Sequence, residues 1–129
     1  MKIAPIISRL STLCPSATSV SAANGITTVD DAQLPLVFVH PTSEESDGSN
    51  YDNLVVQTYD CTFTLLIAAS ASADALETIR DECRDALLGY VIEAGYDAIE
   101  FSSGEMVDLS ASTIWWSDTY TCRRFVRQQ

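Results

Sequence analysis

Residues 54–69 constrain this chain more than any other segment. Val55, Tyr59, Cys61, Phe63, Leu65 and Ile67 share one parity; Thr58, Asp60, Thr62 and Thr64 share the other. Strict alternation places apolar side chains on one face of a β-strand and polar ones on the opposite face. At roughly 3.3 Å per residue such a strand reaches on the order of 50 Å, more than twice an ordinary strand. The chain has 129 residues, a length that suits one domain around one core. Part of the strand therefore projects from the domain as an arm with residues 35–40, or it bends at a bulge.

Two segments carry the helical period instead. In residues 3–14, Ile3, Ile6, Ile7, Leu10, Leu13 and Cys14 fill one arc, with Ser8, Ser11 and Thr12 opposite. Pro5 suits a first turn, and Pro15 ends the helix by driving Cys14 from helical angles. In residues 74–90, Leu76, Ile79, Cys83, Leu87 and Tyr90 form the buried stripe, bordered by Arg80, while Leu88 lies on the polar side. Asp74 and Glu77 have the spacing of a capping box, and Gly89 marks the end.

The remaining patterns are strands and turns. Residues 17–23 read as a weak strand, Asn24-Gly25 as a turn, and residues 26–34 carry no period. Leu36–His40, between two prolines, is a short buried strand. Residues 41–53, PTSEESDGSNYDN, read as a polar loop carrying Glu44, Glu45, Asp47 and Asp52. Residues 98–101 and 105–109 read as a hairpin turning at Ser103-Gly104, and a last strand starts near Ile114. Helices and strands do not alternate strictly. The expected class is α+β, with a mixed or mainly antiparallel sheet, two helices packed on one face and a projecting long strand and loop arm. Residues 1–129 form a single domain.

Charge narrows the function. Eighteen acids against seven bases give −11 and a pI near 4.1. That argues against affinity for phosphate backbones or anionic lipid. No base lies between Arg9 and Arg80, and Arg123, Arg124 and Arg127 crowd the last seven residues. The lopsided distribution suits head-to-tail contact between copies. No apolar run is long enough to span a membrane. Pro5 and Arg9 interrupt the apolar patch after Lys2, so no signal-peptide core forms, and the chain reads as made and used in a cytoplasm.

No set of catalytic groups converges in the sequence. Cys14, Cys61, Cys83 and Cys122 lie on apolar faces, far from any CxxC or zinc spacing. His40 is the only histidine and stands at a strand end. The expectation is no enzyme, no metal and no cofactor. Trp115 and Trp116 point to opposite faces of the last strand, so one enters the core while Trp115 shares a side with Thr119, Thr121, Arg123 and Arg127. Trp beside Arg is the composition of an interface hot spot. Arg80 and Leu88 are weaker candidates of the same kind.

Several pieces, taken together, resemble the tail terminator (tail completion) proteins of long-tailed phages. They are Leu76-Glu77-Thr78-Ile79-Arg80-Asp81, Leu87-Leu88-Gly89-Tyr90, Phe101-Ser102-Ser103-Gly104-Glu105, Trp115-Trp116-Ser117-Asp118-Thr119-Tyr120 and Arg127. The first helix ending near a proline and the segment Phe38-Val39-His40-Pro41 belong to the same likeness. The family's proline after the second helix is missing, which leaves room for that helix to run on through Val91-Ile92-Glu93.

The resemblance implies a structural virion protein, assembled in the host cytoplasm. It implies a homo-hexameric ring on the head-proximal end of the tail tube that stops polymerisation and presents a surface to the head-completion or connector protein. DNA passes through such a ring without specific binding. On that reading Arg80, Leu88, Trp115, Arg123, Arg124 and Arg127 meet a subunit or the connector, and Glu44, Glu45, Asp47 and Asp52 face the tube or the lumen. The alternatives are a head-completion or head–tail joining protein and a small acidic ligand-binding domain.

Overall fold

The computed structural model describes residues 1–23, 33–51, 54–72, 74–110 and 112–128, with side chains except at 47–51, 54–56 and 127–128. Seven elements follow in order: α1 (Ala4–Leu13), β1 (Ser19–Ala22), β2 (Leu36–Tyr51), β3 (Leu54–Ser70), α2 (Ala75–Leu87), β4 (Glu100–Ser110) and β5 (Thr113–Gln128). They make two helices and one open five-stranded mixed sheet of order β1-β2-β3-β5-β4. Only β1 and β2 run parallel. This is the α+β architecture expected from the mixed periodicities.

The alternation at 54–69 becomes the central strand. β3 pairs along its whole length with β5, from Val55↔Gln128 to Ser70↔Thr113, and with β2 on its other edge. Cys61, Phe63, Leu65, Ile67 and Ala69 lie fully buried beneath the helices. From α1 come Ile6 and Leu10, and from α2 come Ile79, Cys83, Ala86 and Leu87. Phe63 stacks on Tyr120 with ring centroids 5.6 Å apart, and Phe101 meets Tyr120 edge-on at 5.4 Å. Such ring geometries add about 0.5–1.5 kcal/mol to area burial.

β1 and β4 are shorter than the strands they flank. β1 accompanies β2 only to Val39, and β4 accompanies β5 only to Thr121. Beyond those points β2, β3 and β5 continue as a three-stranded arm, joined by a single bridge between Tyr96 and Arg124. The seven residues from Glu45 to Tyr51 alone extend about 23 Å at the usual rise. An arm does project, but its β2 part is the outer segment, residues 43–51, and not residues 35–40, since 36–40 pair with the inner end of β3 over the core. β3 itself pairs with β5 without a bulge, and the bulge between Pro41 and Ser43 lies in β2. Pro41 lies where β2 has lost β1 as a neighbour, an edge position that tolerates a missing N–H.

Four local expectations need correction. Residues 41–51 are not loop but the outer half of β2, with Glu44 opposite Cys61 and Glu45 opposite Asp60. A strand wet on both faces shows no alternation, so polar composition disguised it. Tyr51 pairs with Leu54, and Asp52 lies outside the described residues, as do the Asn24-Gly25 turn and most of 26–34.

Ser103-Gly104 is not a turn either. β4 runs unbroken through it with bulges at Phe101/Ser103 and Met106/Asp108, and the reversal falls between Ser110 and Thr113. Asp74 is the N-cap residue of α2 but makes no side-chain cap bond. The helix does not run on past Tyr90. It ends at Leu87, where Gly89 takes φ +80°, a left-handed value that favours glycine. The Gly89 N–H then donates to the Ile99 carbonyl, and the Ile99 N–H to that of Tyr90.

Candidate assembly surfaces

Asp118 has the deepest charged side chain described, 1% exposed in the middle of β5. Arg80 of α2 grips it with two parallel bonds, Nε to Oδ2 at 2.9 Å and an Nη to Oδ1 at 3.0 Å. Trp116 donates Nε1–H to Oδ1 at 2.8 Å, and the Arg80 guanidinium lies 4.5 Å from the Trp116 ring centre. The fork geometry satisfies the carboxylate, and the cation rests on an aromatic face. Asp118 in turn raises the pKa of Arg80 above its ordinary value, chiefly through that hydrogen bond.

Gly104 completes the knot. A Cβ there would collide with Asp118 Oδ1 and stand 2.9 Å from Trp116 Nε1 and 3.0 Å from an Arg80 Nη. The adjacent bulge and the glycine let β4 pass close over the ion pair. Arg80, Gly104, Trp116 and Asp118 come from three separate pieces of sequence that carried the family resemblance. They converge on one buried contact between α2, β4 and β5, so those motifs are the signature of the fold's internal lock. Arg80, expected at an interface, pairs within the subunit with Asp118 and keeps 19% exposure.

The other named residues spread over different faces. Trp115 stacks on Phe38 at 6.4 Å on the sheet face away from the helices, whereas Trp116 lies under Arg80. The tryptophans thus diverge as the alternation requires. Arg123 is exposed and meets Asp60 at 3.3 Å. Arg124 points to the opposite face, over the Tyr96 ring at 5.5 Å. Arg127 pairs through its backbone with Val56. Arg123 and Arg124 are neighbours along β5 but do not share one surface. Leu88 is exposed just beyond the end of α2.

The acids divide likewise. Glu44 faces the N-terminal ammonium at 3.7 Å, and Glu45 lies in the row that continues through Asp60 to Arg123. Asp47 is opposite Thr58 on the arm.

Every base with a described side chain already has a partner. Lys2 meets Glu93 at 3.3 Å, Arg9 donates to the Ala86 carbonyl and covers Tyr90, and Arg84 covers Phe101 and meets Asp81. The free surface chemistry is therefore apolar and acidic. Met106, Val107 and Leu109 of β4 are each more than half exposed. They lie on an edge strand hydrogen-bonded to β5 alone. Their exposure is hidden in the sequence, where the alternation of 105–109 reads as a half-buried hairpin strand. At the other end of β4, where the strand begins, a cleft of about 410 Å³ is lined by Asp60, Asp97, Glu100, Thr121 and Arg123. Among the described residues no helix is long and apolar enough to cross a membrane.

The sequence model of the family described as "Phage tail terminator protein" matches residues 1–129. The chain belongs to the phage tail terminator family. Membership makes it a structural phage tail protein. A chain in the structure titled "Virion of native gene transfer agent (GTA) particle" superposes on this terminator with a TM-score of 0.62 at 14% identity, covering 94% of this chain and 92% of that one. At that identity the likeness is one of fold. No curated protein sequence matches it significantly.

Proposed function

We propose that this terminator closes into a homo-hexameric ring on the head-proximal end of a tail tube, ends tube polymerisation, and offers its other face to the head-completion or connector protein. The family match over the whole chain carries this reading. The fold supplies suitable parts: a compact body, an exposed apolar edge at β4, and a three-stranded arm long enough to reach beyond the body.

Ring closure requires two different patches on each copy, one meeting the other on the next subunit. The apolar side chains of β4 provide one patch. Its two bulges discourage simple strand addition, so the contact is made by side chains rather than by extending the sheet. Trp115 with Phe38, together with Leu88, supplies apolar surface elsewhere on the body. We assign Arg123, Arg124 and Arg127 to a subunit or connector contact, and Glu44 and Glu45 of the arm, with Asp47 and Asp52, to the tube or the lumen. Acidic walls suit a channel crossed by DNA, because like charge prevents adhesion to phosphate.

The direct test is addition of the purified protein to growing tail tubes. Elongation stops at stoichiometric addition, and electron microscopy shows a ring of six 14.0 kDa subunits at one end. Tubes that keep growing with the protein bound along their sides overturn the proposal. Reversing charge at Arg123→Glu and Arg127→Glu weakens assembly at least tenfold at low salt, with the loss narrowing in high salt. Unchanged assembly removes the arginines from the contact. A ring in which the arm lies on the outer rim removes the lumen assignment of the acids.

A further inference from the structure

The four cysteines, all buried and all reduced, fall into two pairs. Cys61 and Cys122 face each other in register across β3 and β5. Cys14 closes the C-terminal end of α1, Cys83 lies in the middle of α2, and their sulfurs are 3.8 Å apart. Nothing in the tail role requires two thiols to meet between α1 and α2.

We propose that Cys14 and Cys83 are an oxidative modification site, joined as a disulfide once the assembled particle leaves the reducing cytoplasm. Virion surfaces meet oxidising surroundings, whereas a cytoplasm keeps thiols reduced. The inference rests on family membership and not on the ring.

With Cys14 2% exposed and Cys83 fully closed, the site excludes a large oxidant, and the oxidant proposed is hydrogen peroxide, reaching the slightly exposed Cys14 sulfur first. Cys14 is the attacking group. It sits at a helix end, next to the surface contact of Ser16 with Glu82, while Cys83 is enclosed. The hydrogen bond between the two sulfurs holds the Cys14 thiol below its ordinary pKa, against burial and the Glu82 carboxylate, and the same contact pushes Cys83 far up. Thiolate character favours attack at Cys14.

The Cys14 sulfur attacks one peroxide oxygen and the O–O bond breaks. Hydroxide leaves, takes up the thiol proton as water, and Cys14 becomes a sulfenic acid. The Cys83 sulfur then attacks the Cys14 sulfur, and the S–O bond breaks with loss of a second water. Two thiols give up two electrons and one peroxide becomes two waters. The sulfurs close from 3.8 Å to bonding distance, about 2.05 Å, by rotation at the end of α1. The other pair is protected: burial pushes Cys122 up to about 12 and raises Cys61, and Met1 Sδ covers Cys122 at 3.5 Å.

The test uses the full chain, reduced and then exposed to dilute hydrogen peroxide, denatured, alkylated and mapped by mass spectrometry. The expected product has lost two hydrogens, alkylates only at Cys61 and Cys122, and yields a Cys14–Cys83 linked peptide. Its unfolding midpoint rises on the order of 10 °C and returns on reduction. Cys14→Ala and Cys14→Ser each abolish the linked peptide and the reversible shift. Retention of four free thiols, a Cys61–Cys122 link, or a sulfinic acid at Cys14 overturns the proposal.

Discussion

Asp118→Ala is expected to lower the unfolding midpoint by roughly 10–20 °C, the largest effect of any single substitution away from the apolar core. The change strands the Arg80 guanidinium and the Trp116 Nε1–H on a carboxylate that is 1% exposed in the native protein. Removing one partner of a buried pair typically costs about 3–5 kcal/mol, because the other remains desolvated. The Arg80 side chain keeps 19% exposure and recovers some hydration, which sets the lower bound. Gly104→Ala strikes the same knot from the other side, since its Cβ would displace Asp118 and press on both donors. Asp60→Ala is the control. Its pair with Arg123 is about 60% exposed on both sides, and such pairs contribute about 0–1 kcal/mol. Circular dichroism melts of the three variants decide the matter. Equal shifts for Asp118→Ala and Asp60→Ala would mean that the knot contributes nothing special.

The second large effect is on assembly with folding intact. Val107→Lys combined with Leu109→Lys is expected to abolish tube capping, at least a hundredfold by titration, while the melting midpoint moves by no more than about 2 °C. Both positions are more than half exposed, and surface substitutions ordinarily change stability by about 0.5 kcal/mol or less. Two lysines desolvated against an apolar partner cost far more than that. Capping at wild-type stoichiometry by the folded double variant would exclude the β4 edge as a subunit contact and move the search to Trp115 and Phe38.

The large features of this fold are visible in its residues. Period-two spacing through Phe63 and Ile67 marks the central strand, and period-3.6 spacing through Ile79, Cys83 and Leu87 marks α2. Adjacent tryptophans on a strand had to diverge, and they do. Two kinds of feature stay hidden. Positions 41–46 of β2 are exposed one after another, so no hydrophobic period records them, and pairing with β3 alone makes them strand. Gly104 resembles a turn residue, yet its cause is a carboxylate fourteen positions away in β5. Arg80 next to an apolar stripe reads as surface until Asp118 is seen beneath it. Asp118 itself, inside Ser-Asp-Thr, carries no local sign of burial. What local pattern cannot encode is the pairing of distant side chains, and the lock between α2, β4 and β5 is made of nothing else.

The arm is anchored in a particular way. β2–β3 and β4–β5 are two hairpins, each local in sequence, and they meet along the single ladder between β3 and β5. That ladder runs from Ser70 and Thr113, past Asp118 of the Arg80 knot, to the arm's far end. A pull on the arm along its strands is therefore a shearing load on the seam that joins the two halves of the domain. Hydrogen bonds perpendicular to the strands resist such a load together rather than one after another. Whatever the arm grips, tension on it is shared by the whole width of the molecule, and peeling the arm sideways is the softer direction.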